Sequence, residues 1–122
     1  MSLSNLEKKI NSELTTKINS SRINHNQLEI QINKDSLLDV VIFLKKNNFT
    51  KFRQLIDITA VDYISSENRF KMIYLFLSHE LNSRLNINFN INENEVVNSL
   101  TKIFPSANWM EREVFDMYGI KF

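Results

Sequence analysis

Two neighbouring stretches decide how this chain folds: Phe52-Arg53-Gln54-Leu55-Ile56-Asp57-Ile58-Thr59-Ala60-Val61-Asp62-Tyr63 and Phe70-Lys71-Met72-Ile73-Tyr74-Leu75-Phe76-Leu77-Ser78. The first reads as a long strand with two mixed faces. Strict alternation puts Phe52, Gln54, Ile56, Ile58, Ala60 and Asp62 on one side. Arg53, Leu55, Asp57, Thr59, Val61 and Tyr63 then fall on the other. The second is almost wholly apolar, as a strand covered on both faces would be. Asp57 and Asp62 are unexpected in such surroundings, because an ionised carboxylate off water is costly unless it is paired. Asp57 could pair with Arg53 on its own face. Asp62 could lie in solvent at the strand end, or either could meet a basic group elsewhere.

Working outward, residues 65–68 and the pair Asn82-Ser83 read as turns. Leu85, Ile87, Phe89 and Ile91 alternate with Arg84, Asn86, Asn88 and Asn90, which predicts a one-sided strand. Val96, Val97, Leu100, Ile103 and Phe104 predict a helix over 93–104, ended by Pro105. A last helix follows over 107–119. Upstream, Leu37, Leu38, Val41, Ile42 and Leu44 give a helix over 34–46 with a wide apolar face to lay on a sheet, capped by Asp35 or Ser36. Leu28, Ile30 and Ile32 alternate with polar residues, and His25-Asn26 turns the chain, so 20–33 is a hairpin. Leu3, Leu6, Ile10, Leu14 and Ile18 recur at helical spacing and predict a helix over about 4–17. The order is helix, two strands, helix, three strands, two helices: a two-layer α+β fold with a mixed or antiparallel sheet. The chain reads as a single domain over 1–122, with an amphipathic segment at 3–18, an α+β core at 20–104 and the charged helix at 107–119.

Composition closes many functional routes. In 122 residues there is no cysteine, one glycine and one proline. That removes disulfides, thiolate ligands for Fe–S clusters and the usual structural zinc sites. It also removes glycine-rich phosphate loops. The net charge is +1 and the basic residues are scattered, so nucleic acid is not an expected partner. His25 and His79 lack metal-ligand spacing, and His79 reads as a strand-end residue. No apolar run reaches membrane-spanning length, and the first residues are too polar for a secretory signal, which points to a cytoplasm-like compartment.

The candidate functional residues gather in the terminal helix. Asn108 stands where an N-cap would be, with Glu111 three residues on as capping-box partner. Gly119 fits the left-handed C-terminal position, with Ile120 folding back. Met110, Val114 and Met117 form an apolar face. Arg112 and Asp116 are i, i+4 neighbours, and Trp109 is within reach of Arg112. Glu111, Glu113 and Asp116 could in principle ligate a metal or act as an acid–base pair, but a helical carboxylate site wants a second helix with a Glu-x-x-His unit. Arg112 among them argues instead for charge pairing. Trp109 with Arg112 has the make-up of an interface anchor. The intramolecular alternative is Arg112 clamped to Asp57, Asp62 or Glu111.

These residues also carry a resemblance. Leu55-Ile56-Asp57-Ile58-Thr59-Ala60-Val61-Asp62-Tyr63, Arg69-Phe70, 74–78, Arg84-Leu85, Ile103-Phe104-Pro105 and Ala107-Asn108-Trp109-Met110-Glu111-Arg112-Glu113-Val114-Phe115-Asp116-Met117-Tyr118-Gly119-Ile120 occur in order. Over at least 55–122 the chain resembles the 30-kDa, NuoC-type subunit of respiratory complex I, the proton-pumping NADH:quinone oxidoreductase. The resemblance implies an α+β subunit with no flavin, Fe–S or quinone motif of its own: no cofactor and no catalytic residue. It implies a scaffold in the peripheral arm, packed on the large quinone-site (49-kDa, NuoD-type) subunit and near Fe–S subunits. It places that scaffold at the cytoplasmic or matrix face of the membrane without spanning it. Asp57, Asp62, Trp109, Glu111, Arg112, Glu113 and Asp116 would then form the partner interface or its polar network. A bare partner surface would favour self-association of the isolated domain. The family normally continues past this point into a basic Gly-His-Pro-Asp-Leu-Arg-Arg type tail, whereas the sequence here stops at Phe122. Two rivals are an equivalent scaffold in a membrane-bound hydrogenase-type complex and a stand-alone enzyme using Glu111, Glu113 and Asp116.

Overall fold

The strand over Phe70–Ser78 (β4) alternates buried and half-buried residues along its whole length, and the sheet is laid out around it. In the computed structural model, which describes residues 3–25, 27–46, 52–63, 69–78 and 83–122, β4 pairs antiparallel with β3 (Gln54–Asp62) on one side and with β5 (Ser83–Ile91) on the other. β1 (Ile18–Asn24) and β2 (Gln27–Ile32) form the predicted hairpin. β2 then joins the sheet parallel to β5, with Ile30 opposite Ile87, so the spatial order is β1-β2-β5-β4-β3. The turn at 65–68, Asn82 and His79 lie outside the described residues. His25 follows β1 in a left-handed conformation (φ 52°), as a tight turn there requires.

One face of this sheet is the core. Leu28, Ile30, Leu85, Ile87, Phe89, Met72, Tyr74 and Phe76 are fully buried there. The helices supply the other layer. α1 (Leu3–Glu13) contributes Leu6 and Ile10. α2 (Leu37–Lys46), entered through a 3₁₀ turn at Lys34–Ser36, contributes Leu37, Val40, Val41 and Leu44. α3 (Ala107–Tyr118) contributes Ala107 and Val114 and packs along β3. The opposite sheet face is mixed: Asn88 donates to Asn86 at 3.1 Å, and Ile73, Leu75 and Leu77 are only half covered. The two-layer α+β architecture is thus the expected one, with a mixed sheet.

Three local expectations give way. α1 ends at Glu13 instead of Lys17, because residues 14–17 tighten into turns in which both Lys17 and Ile18 donate to the Leu14 carbonyl. β3 does not keep strict alternation. A bulge between Leu55 and Asp57 resets its register, so Leu55, Ile58 and Ala60 face the core while Gln54 is exposed. The predicted helix over 93–104 does not form. Its amide donors are engaged elsewhere: Val97 N–H donates to the Lys121 carbonyl (2.9 Å) and Leu100 N–H to the Glu111 carboxylate (2.8 Å). Val97, Leu100 and Phe104 are buried at spacings that imitate a helix face, but the backbone between them is turns and extended chain, with Asn94 left-handed at φ 71°. The chain therefore ends with one helix, α3, instead of two.

Candidate functional site

α3 is positioned by a tertiary contact at Glu111 that local sequence does not suggest and by the expected Gly119 cap. Its first turn has no side-chain cap: Ser106, and not Asn108, occupies the N-cap position. Glu111 makes no capping box. It is 5% exposed and reaches across to the 99–101 segment. One carboxylate oxygen accepts from Ser99 Oγ (2.6 Å) and Thr101 Oγ1 (3.4 Å), and the other accepts from Leu100 N–H (2.8 Å). A buried carboxylate is tolerable when its oxygens are answered in this way. At the C-terminal end Gly119 is left-handed (φ 73°) and its N–H donates to the Phe115 carbonyl, as expected, with Ile120 buried behind it. Lys121 then lies parallel to Val96.

Contacts around α3 fix the segment over 92–104 to the core. Lys34 pairs with Glu95 (2.8 Å) and Arg69 with Glu93 (3.2 Å). Lys45 donates to the Ile103 carbonyl and lies over the Phe104 ring, 4.8 Å from its centroid. Phe104 itself packs on Phe76, and Tyr118 meets the edge of Phe70. Arg69 also holds Asp62 through two bonds of 2.8 and 3.0 Å. Its guanidinium keeps the Asp62 carboxyl below the usual carboxylate range, and the Lys34 ammonium does the same to Glu95. Asp62 therefore does not stand alone in solvent. Asp57, beside the bulge, accepts the Ile58 N–H at 2.9 Å.

Among the described residues, Arg112 bonds to none of Asp57, Asp62 and Glu111, forms no ion pair with Asp116 and is not stacked on Trp109. The expected apolar face also shifts. The buried side of α3 runs through Ala107, Glu111 and Val114, with Met110 and Tyr118 partly covered, while Met117 is 73% exposed. Trp109, Arg112, Glu113 and Asp116 fall at i, i+3, i+4 and i+7 and form one solvent-facing stripe, with Trp109 66% exposed. The seven candidate residues thus divide. Glu111, Asp57 and Asp62 hold structure within the domain, and the other four face outward. The three carboxylates of α3 do not converge, and among the described residues no group of three or more acids or histidines is arranged to hold a metal ion.

Two contributors were not singled out for these roles from the sequence. One is the Ser99–Thr101 cradle for Glu111, which no local pattern marks, and the other is the Arg69 hub, whose residue belongs to the family signature but whose carboxylate partners the signature does not name. A third, the Tyr74 hydroxyl, is buried without a hydrogen-bond partner among the described residues. Burial, with the nearby Glu111 charge, pushes its ionisation well above the ordinary phenol range.

Comparison with known proteins bears on what this helix and its surroundings serve. The family model described as "Respiratory-chain NADH dehydrogenase, 30 Kd subunit" matches residues 30–122, so the likeness begins in β2, upstream of the signature at Leu55. An NADH-quinone oxidoreductase subunit from Rhodospirillum rubrum is 38% identical over 121 residues, covering 99% of this chain and 57% of that protein. Its counterpart from Ruegeria pomeroyi is 45% identical over 96 residues, covering 79% and 48%. A plant relative from Patellifolia webbiana, NADH dehydrogenase (ubiquinone) iron-sulfur protein 3, is 43% identical over 90 residues, covering 74% and 47%. The chain spans about half the length of the curated relatives it matches. Among solved structures, a chain of the membrane-bound sulfane sulfur reductase, an archaeal respiratory membrane complex, superposes with a TM-score of 0.85 at 23% identity. That superposition covers 98% of this chain and 69% of the other, and is a likeness of fold. With three-quarters of its length inside the family match, this chain belongs to the 30-kDa subunit family of the respiratory-chain NADH dehydrogenase.

Proposed function

We propose that the chain, taken over 1–122 as one unit, is a non-catalytic scaffold subunit of the peripheral, quinone-module arm of an NADH:quinone oxidoreductase. In this reading it supports electron transfer from NADH to quinone without touching either. Its neighbours are the large quinone-site subunit and adjacent Fe–S subunits, at the cytoplasmic or matrix face of the energy-transducing membrane. No described helix is long and apolar enough to cross a membrane. These 122 residues hold no cysteine, so any cluster chemistry resides in other chains or other segments.

The observation that carries the reading is the outward stripe of α3. Trp109, Arg112, Glu113 and Asp116 stand in solvent on a helix whose opposite side is locked into the core by Ala107, Glu111 and Val114. Trp and Arg are the residue types that anchor interfaces, and a rigid backbone lowers the ordering cost of binding. Arg112→Ala is expected to reduce co-purification of the large quinone-site subunit, while the complexes that do assemble turn over at the unaltered rate. Co-purification at unchanged yield together with lost quinone reduction would contradict the scaffold reading.

A further inference from the structure

A groove of about 670 Å³ opens between α3 from Asn108 to Phe115, the 99–101 segment and Lys121-Phe122. Arg112 and Phe115 line one wall, Ser99 and Thr101 the other, and Lys121 and Phe122 the end. Its walls are fixed. Glu111 ties 99–101 to α3 through three hydrogen bonds, and the Val97-to-Lys121 backbone bond holds the terminal residues alongside. Its chemistry is two-sided. Phe115 is 47% exposed, a large apolar surface left open to water. Arg112 and Lys121 are both exposed, and neither side chain has an acidic partner among the described residues. The single acid at the groove, Glu111, is buried in the floor with its oxygens already taken from the loop side. Glu113 and Asp116 lie on α3 but do not line it.

We infer that this groove binds an acidic, aromatic-containing segment of a partner protein, with a carboxylate held between Arg112 and Lys121 and an apolar side chain set against Phe115 and Phe122. The inference rests on the scaffold reading above and deepens it by giving the chemistry of the contact. A guanidinium offers a planar fork to a carboxylate, an ammonium adds a second cation, and phenyl rings beside them supply the area that a lone ion pair in water lacks. Rigid walls mean that the groove need not be ordered on binding.

The test uses the chain itself, labelled with ¹⁵N, titrated with acetyl-Asp-Glu-Phe-Asp-Leu-amide and, separately, with the uncharged acetyl-Asn-Gln-Phe-Asn-Leu-amide. Shifts are expected at the amides of Ser99, Thr101, Arg112, Phe115 and Lys121. Affinity for the acidic peptide should exceed that for the neutral one by about tenfold, and the preference should vanish in an Arg112→Gln, Lys121→Gln double variant and shrink with added salt. Because the two-peptide comparison is made on the unaltered chain, it stands even if the variant folds poorly. Equal binding of the two peptides, shifts centred elsewhere, or no shifts at millimolar peptide would overturn the proposal. So would a dimer in sedimentation that the double substitution abolishes, since the occupant would then be a second copy. If the peptides fail while Arg112→Ala still weakens co-purification, the groove falls and the scaffold reading stands. If the acidic peptide binds but Arg112→Ala leaves co-purification unchanged and abolishes quinone reduction, the groove stands and the scaffold reading falls.

Discussion

Glu111 and Tyr74 are both buried polar side chains on the α3 side of the sheet, and they differ in whether the polar atom is answered. Glu111 satisfies Leu100 N–H and two hydroxyls, so removing it strands a buried donor. Glu111→Ala should cost about 2–3 kcal/mol in urea unfolding, and Glu111→Gln, which keeps one carbonyl acceptor, about 1 kcal/mol. The Tyr74 hydroxyl has no partner to lose among the described residues, so Tyr74→Phe should be neutral or stabilising by up to about 1 kcal/mol. Because the fold favours the neutral phenol, native Tyr74 binds its proton more tightly than the unfolded chain does. Stability should then fall as pH rises above the ordinary value of 10.0, and Tyr74→Phe should blunt that fall in alkaline melts. At this scale the sequence was half legible. Gly119 was readable because one conformation demands it and the local pattern announces it. Glu111 was misread because Asn108-x-x-Glu111 has capping-box spacing, and its true partners lie 10 to 12 residues upstream, where no local rule looks.

Among the elements, the strands were legible and the connection over 92–104 was not. Period-2 alternation survives in β4 and β5 because each residue's face is set by its two neighbours in the sheet. In β3 a single bulge at 55–57 inverts the faces of everything before it, and nothing in Gln54-Leu55-Ile56-Asp57 signals an extra residue. The 92–104 segment imitates a helix in its apolar spacing but is held by tertiary donors and charges, above all Arg69 and Lys34. Those charges make its anchoring depend on acid. Asp62 and Glu95 both have depressed carboxyl pKa values in the fold, so the unfolded chain takes up protons first as pH falls below about 4.5. The stability they contribute is present above the ordinary carboxylate range and is lost as pH drops through the folded values. Melting temperature should therefore decline between about pH 5 and pH 3. Arg69→Gln should flatten the Asp62 part of that decline and leave the Glu95 part.

At the scale of the whole molecule, the family match starts at residue 30, yet the core does not. Leu6 and Ile10 of α1 are each 1% exposed and belong to the same cluster as Phe76 and Phe89. Leu6→Ala should cost about 2–4 kcal/mol with unfolding still a single transition, measured by circular dichroism and tryptophan fluorescence together. Separate transitions would make α1 an appendage. The α+β class and its strand order in sequence were readable from periodicity. The parallel join of β2 to β5 was not, because pairing between segments so far apart along the chain leaves no trace in either one. That join has a kinetic consequence. β5, the last of the five described strands in chain order, is the middle strand of the sheet, flanked by β2 and β4. The β1–β2 hairpin has no strand to join in the sheet until β5 has been made, so its apolar face waits uncovered while β3 and β4 are synthesised.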